Sequence, residues 1–78
     1  MIKVLLFAGL HEKVGKGELF VEKDSITLTD LIEELKKNEP NLELSNVMVA
    51  VNEEFVNEPD HSVQKGDTVA LLPPVSGG

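Results

Sequence analysis

From residue 2 to residue 8 the chain is apolar at every position except Lys3, and Gly9 follows. Strand alternation places Ile2, Val4 and Leu6 on one face and Lys3, Leu5 and Phe7 on the other. Gly15 and Gly17 bracket Lys16 as a turn signal, and residues 17–23 alternate as a second strand. In it Leu19 and Val21 face the core, while Glu18, Phe20 and Glu22 face out. The pair predicts a hairpin joined by a loop of several residues. The period then changes. Leu28, Leu31, Ile32 and Leu35 stand at i, i+3, i+4 and i+7, the apolar stripe of a helix over about residues 28–38. Thr27 is placed to cap it, with Asp30 three residues on in a capping-box-like arrangement. Lys36 and Lys37 close the helix as its dipole prefers, and Pro40 stops it.

Residues 41–46 read as connecting chain. Residues 47–51 form a short, nearly continuous apolar strand, Asn52-Glu53-Glu54 a turn, and residues 55–57 a short returning strand. Gln64-Lys65-Gly66-Asp67 is a further turn signal leading into Thr68-Val69-Ala70-Leu71-Leu72, where Val69 and Leu71 share the inward face. The order strand, strand, helix, strand, strand, strand predicts an α+β, β-grasp (ubiquitin-like) fold. One helix crosses a mixed sheet of about five short strands, and the helical connection lets a later strand run parallel to the first. Residues 1–72 are expected to form this domain and residues 73–78 a flexible tail.

Composition narrows the chemistry. A chain of 78 residues buries only about 60% of its unfolded surface, and such small folds often lean on disulfides or a metal. There is no cysteine, which removes disulfides, thiolate metal sites and a cysteine nucleophile together. His11 and His61 lie far apart and form no ligand set, so no metal site is expected. Seven basic against fourteen acidic residues give a net charge of −7. That charge opposes phosphate backbones and weakly favours basic protein surfaces. No apolar run approaches the ~20 residues of a membrane span, and the first residues read as a strand rather than a signal peptide. No nucleic acid and no membrane are therefore expected as partners, and the expected compartment is the cytoplasm.

The last strand runs into Pro73-Pro74-Val75-Ser76-Gly77-Gly78. Proline cannot donate to a sheet ladder, so pairing is expected to end at about Leu72, and two prolines stiffen the exit. Six extended residues reach roughly 20 Å. Gly77 and Gly78 carry no side chain and leave the terminal carboxylate, taken as the end of the chain, bare to a narrow site. A frayed terminus is the bland alternative. The stiff exit and the preceding fold favour a working tail.

These residues resemble the MoaD-type sulfur carriers of molybdopterin synthase, within the ubiquitin-like MoaD/ThiS family. The likeness begins with Met1-Ile2-Lys3-Val4-Leu5-Leu6-Phe7-Ala8. It continues through Ala50-Val51-Asn52 and Gly66-Asp67-Thr68-Val69-Ala70, and ends in the most specific element, Pro-Pro-Val-Ser-Gly-Gly. The resemblance implies a carrier subunit rather than an enzyme, with catalytic residues on a large subunit and two small and two large subunits in a heterotetramer. It implies that an adenylyltransferase of the ubiquitin-activating type uses ATP to adenylate Gly78 and that a sulfurtransferase leaves a thiocarboxylate there. That sulfur would pass to cyclic pyranopterin monophosphate, building molybdopterin for molybdenum cofactor biosynthesis. No cofactor is expected on the chain itself. Without cysteine, no side-chain persulfide is available, which fits sulfur carried at the C-terminus. The alternatives are a ubiquitin-like modifier conjugated through Gly78, a carrier for thiamin thiazole or another thiolation pathway, and an interaction module with an idle tail.

Leu5, Phe7, Ala70 and Leu72 fall on the face away from the helix. If the first and last strands are neighbours they form an apolar patch at the root of the tail, where the resemblance places the large subunit, and Phe55 can join them. A covering loop is the alternative. His11 and His61 read as solvated loop residues, His11 standing where relatives often carry arginine. Glu53, Glu54 and Glu58 read as a solvated acidic turn, with recognition of a basic partner as the alternative.

Overall fold

The computed structural model describes residues 1–44 and 46–73. Strand β1 (Ile2–Leu6) alternates buried and less buried positions as its sequence does, with Ile2, Val4 and Leu6 in the core. It pairs antiparallel with β2 (Glu18–Val21), Ile2 opposite Val21 and Leu5 opposite Glu18. The connection is not the plain loop expected. Helix α1 (Gly9–Val14) occupies it, burying Leu10, with Val14 packed against the core. Leu10 and Val14, four residues apart, share one face of a single turn and a half, a pattern too short to stand out as periodic. Gly15 ends the helix at φ 81°, a left-handed value that glycine takes without steric cost, and its N–H bonds to the His11 carbonyl at 2.8 Å. His11 therefore lies on a helix rather than in a loop.

Helix α2 (Leu28–Asn38) has the predicted bounds. Thr27 accepts from the Asp30 N–H at 3.2 Å, so the cap forms in the forward direction. The loop at residues 59–61 completes this helix end, the Leu28 N–H reaching the His61 carbonyl at 3.0 Å and the Thr29 N–H the Pro59 carbonyl at 3.0 Å. Leu28, Leu31 and Leu35 are buried and Ile32 packs at the edge of the core. Two short strands escaped the pattern reading altogether. Strand β3 (Ser25–Thr27) and β6 (Ser62–Gln64) pair antiparallel as a separate two-stranded sheet, with Ile26 opposite Val63. Three residues are too few to show alternation, and the pairing partner lies 37 residues away, as the Ser25 and Ser62 hydroxyls 3.1 Å apart illustrate.

The main sheet contains β4 (Met48–Val51), β5 (Glu54–Phe55) and β7 (Thr68–Leu72) as well, in the order β2-β1-β7-β4-β5. β1 and β7 are parallel, as the helical connection permits, and the other neighbours are antiparallel. Strand β5 is shorter than expected and begins one residue earlier. Asn52 and Glu53 take φ values of 51° and 71°, a two-residue turn that sets Val51 opposite Glu54. The core lies between one face of this sheet and α2. Residues 41–46 also carry part of it: Leu42 and Leu44 are buried, not merely connecting chain. Among the described residues no polar or charged side chain is buried, so the core is held by apolar packing alone.

Candidate functional site

The sheet face turned away from α2 is the candidate site. Register assembles it row by row. Leu5 stands beside Ala70, Ala70 beside Ala50, and Ala50 beside Phe55, one apolar row across β1, β7, β4 and β5. The next row toward the end of β7 sets Leu72 beside Met48, with Phe7 two positions beyond Leu5 on the same parity. Phe55 is 64% exposed, Phe7 44% and Met48 42%, while Leu5, Ala70 and Leu72 are half-buried and Ala50 is buried. Two alanines between larger flanking side chains make the middle of the row low. A monomer this small gains nothing from leaving three large apolar side chains in water, which marks the face as one to be covered. Charge stays at its margin. Lys3 and Glu18 meet at 3.8 Å in the only ion pair among the described residues, both well exposed and contributing little to stability.

The strand parity argument agrees with this placement of Leu5, Phe7, Ala70 and Leu72, which Phe55 joins through its pairing with Ala50. It missed Met48 and Ala50, though β4 has the same alternation, because the nearly continuous apolar run hides which residues point which way. Phe20, 54% exposed, also lies on this face, but beyond Lys3 and away from Leu72.

Two local features fix this end of the sheet. β7 ends at Leu72, opposite Met48, as the following prolines require, and Pro73 continues half-buried. Pro74, Val75, Ser76, Gly77 and Gly78, the other expected site residues, lie outside the described residues. After Phe7, Ala8 takes φ 52° and ψ −126°, a conformation that favours glycine, and turns the chain sharply into α1. The Leu10 N–H closes this corner on the Phe7 carbonyl at 3.1 Å.

At the opposite end of the sheet, polar side chains hold two turns together. Asp67 accepts the Gln64 N–H at 2.8 Å through one oxygen and the Asn52 side-chain amide at 3.1 Å through the other. Asn52 in turn accepts the Thr68 N–H at 3.1 Å. The Gln64 N–H first and the Asn52 amide second hold the Asp67 carboxyl below its ordinary range. This tie links the end of β4 to the start of β7. Neither histidine side chain hydrogen-bonds among the described residues, though His61 lies near enough to add a small favourable charge effect on the Asp67 carboxylate. His11 is exposed and its ring lies against Gly17, where an added Cβ would stand 3.4 Å from Cε1.

Residues 4–78 match the ThiS family. The chain belongs to the ThiS family. The match runs through Gly77 and Gly78 and takes in both the apolar face and the exit from β7. This ThiS-family chain is 37% identical over 81 residues to the molybdopterin synthase sulfur carrier subunit of Dictyostelium discoideum, covering 97% of this chain and 94% of that protein. It is 38% identical over 82 residues to the subunit of the same description in Escherichia coli K12, covering all of both. Among solved structures, the small archaeal modifier protein 1 of Haloferax volcanii superposes with a TM-score of 0.81 at 26% identity, covering 95% of this chain and 97% of that one. The ThiS-family assignment agrees with the β-grasp architecture expected from periodicity alone. No helix among the described residues is long and apolar enough to cross a membrane.

Proposed function

We propose that this chain is the sulfur carrier subunit of a molybdopterin synthase, docking on the large subunit through its apolar sheet face and delivering sulfur from the carboxyl group of Gly78. The observation that carries the reading is the end-to-end likeness to carrier subunits of that description. The exposed apolar row beside Leu72, where the chain leaves the sheet, supports it.

The chemistry follows from the end group. A carboxylate is a poor electrophile, and exchange of its oxygen needs activation. Attack of the Gly78 carboxylate on the α-phosphate of ATP, bound by a separate adenylyltransferase, forms an acyl adenylate and releases pyrophosphate. The outer sulfur of a persulfide on a sulfurtransferase then adds to the acyl carbon and AMP leaves, and attack of a thiol on the resulting acyl disulfide forms a disulfide in the thiol's place and frees a terminal thiocarboxylate. In the synthase the sulfur passes to the pterin precursor, water attacks the acyl carbon, and the carrier returns as carboxylate, ready for another cycle. The chain itself supplies no acid, base or phosphate contact to these steps. Its contributions are a docking face, an exit directed by Leu72 and Pro73, and two residues without side chains before the reacting carbon.

Intact mass of the protein isolated from its native cell tests this. Oxygen replaced by sulfur adds roughly 16 Da at the C-terminus, and removing Gly77 and Gly78 must abolish the gain. A native mass without that gain under conditions where molybdopterin is being made would overturn the reading. The likeness to an archaeal modifier protein favours a second fate for the same activated carboxyl, transfer to a lysine amine. Gly-Gly remnants on lysines of other proteins, absent when this chain is deleted, would identify it.

A further inference from the structure

At the β5 edge of the sheet a separate groove of about 480 Å³ runs between β5 and the start of α2. Leu28, Ile32, Leu44, Val49 and Val56 form its floor, and Phe55 and Glu58 stand at its rim. Ile32, Val49 and Val56 are only half-buried, so apolar surface that begins in the core continues to solvent here. The wall is firm rather than loose chain, because the bonds from Leu28 and Thr29 to the loop at residues 59–61 pin it to the helix.

The edge itself offers backbone pairing. The Val56 N–H bonds to the Val49 carbonyl at 2.9 Å, and Phe55 is the residue opposite Ala50. In an antiparallel ladder successive residues turn their backbone groups alternately toward and away from the neighbour, so the N–H and C=O of Phe55 face outward. Among the described residues β5 is the last strand of the sheet, with nothing paired to its outer side, and such an edge beside an apolar groove is a template for an added strand.

Charge says what kind of strand. All seven basic residues of the chain are lysines, at positions 3, 13, 16, 23, 36, 37 and 65. Residues 38–64, which supply β4, β5 and the loop walling the groove, contain six carboxylates and neither lysine nor arginine. Glu54 lies on β5 itself and Glu58 at the rim, both exposed. A second copy of this chain is a poor occupant, since pairing two β5 edges sets Glu54 against its own counterpart. Nucleic acid is repelled by the same carboxylates.

We propose that the β5 edge and its groove take up an extended segment of a partner protein that carries, on one face, an apolar residue with a basic residue two positions to either side. The segment adds as a strand on Phe55, lays its apolar side chain on Ile32, Val49 and Val56, and sets the flanking lysines or arginines against Glu58 and against Glu54, which shares the groove-side face with Val56. This surface meets the sheet face only at Met48 and Phe55, and the proposal does not depend on sulfur transfer.

The test uses the full-length, isotope-labelled protein and an acetylated, amidated heptapeptide with lysine at its second and sixth residues, leucine at its fourth and threonine between them. Saturable shifts are expected at the amides of Ile32, Phe55, Val56 and Asn57, weakening as salt rises. A glutamate-for-lysine peptide and one N-methylated at alternate amides should not bind. The double variant Glu54→Lys, Glu58→Lys should weaken the peptide about tenfold or more while leaving the spectrum elsewhere intact. Binding that survives N-methylation, shifts confined to Leu5, Phe7 and Leu72, or concentration-dependent shifts at Phe55 without peptide would each overturn the proposal. Absence of saturable binding at millimolar peptide would overturn it too. None of these results touches the mass gain at Gly78, so the two readings fail independently.

Discussion

Phe7 and Phe20 provide a matched pair for testing where the partner sits. Both are phenylalanines on the same face of the same sheet, 44% and 54% exposed. Phe20 lies opposite Lys3, and Phe7 is four residues beyond Lys3, just past the end of β1, which separates the two by about 14 Å from strand rise and spacing. Of the ~200 Å² an aromatic side chain presents, roughly 90 Å² of Phe7 remains for a partner to cover. At ~25 cal/mol per Å² this amounts to about 2 kcal/mol, or a Kd some 30-fold weaker for Phe7→Ala. Phe20→Ala removes as much exposed surface and should leave Kd within about twofold, because Phe20 lies on the far side of Lys3 from the Leu5–Phe55 row. The assay is calorimetric titration of each variant into the large subunit, at a temperature where circular dichroism shows both variants fully folded. Equal losses for the two variants would mean that hydrophobicity in general drives association. A Phe7→Ala variant with unchanged affinity would refute the docking face outright.

Other outcomes follow from single contacts. Ala8→Gly relieves a left-handed conformation that costs a non-glycine residue about 1–3 kcal/mol, against a backbone entropy cost of about 0.5–1 kcal/mol. A net gain near 1 kcal/mol should raise Tm by about 4–8 °C, and a fall in Tm would mean that the corner does not need its φ. Leu71, fully buried where β7 faces α2, should cost about 2–5 kcal/mol in urea unfolding when cut to alanine. A loss under ~1 kcal/mol would contradict the placement of the core. The Asp67 carboxyl is held below its ordinary value of 3.8, so it contributes stability above that value, and the contribution is lost as pH falls through the depressed one. Urea midpoints measured from about pH 5 down to about pH 2 should therefore decline less steeply for Asp67→Asn than for the parent chain.

Much of the fold was legible because each long element carries its own period. The stripe of Leu28, Leu31, Ile32 and Leu35 needs no context to be a helix, and its predicted and observed bounds coincide. The alternation of β1 and β7 is as plain, and their parity put Leu5, Phe7 and Leu72 on one face before any pairing was known. Short elements behaved differently. Helix α1, β3 and β6 are six, three and three residues long, and none has enough repeats to declare a period. Their existence depends on partners distant in sequence, Val63 for Ile26 and the core for Leu10. Leu42 and Leu44 look like linker in the sequence for the same reason, since burial is a property of where the chain passes.

The sequence by itself determined the inward and outward sides of each strand, the absence of any thiol to hold sulfur, and the stop after Leu72, where two prolines end the ladder. Those are consequences of side-chain spacing and of atoms present or missing, and they need no neighbour. Only the tertiary structure decided that Leu5, Ala70, Ala50 and Phe55 form one continuous row, and that Met48 stands beside Leu72 where the chain departs. Register between strands far apart in sequence is set by packing of their buried faces against α2 and by the Asn52–Asp67 tie, both interactions across the fold.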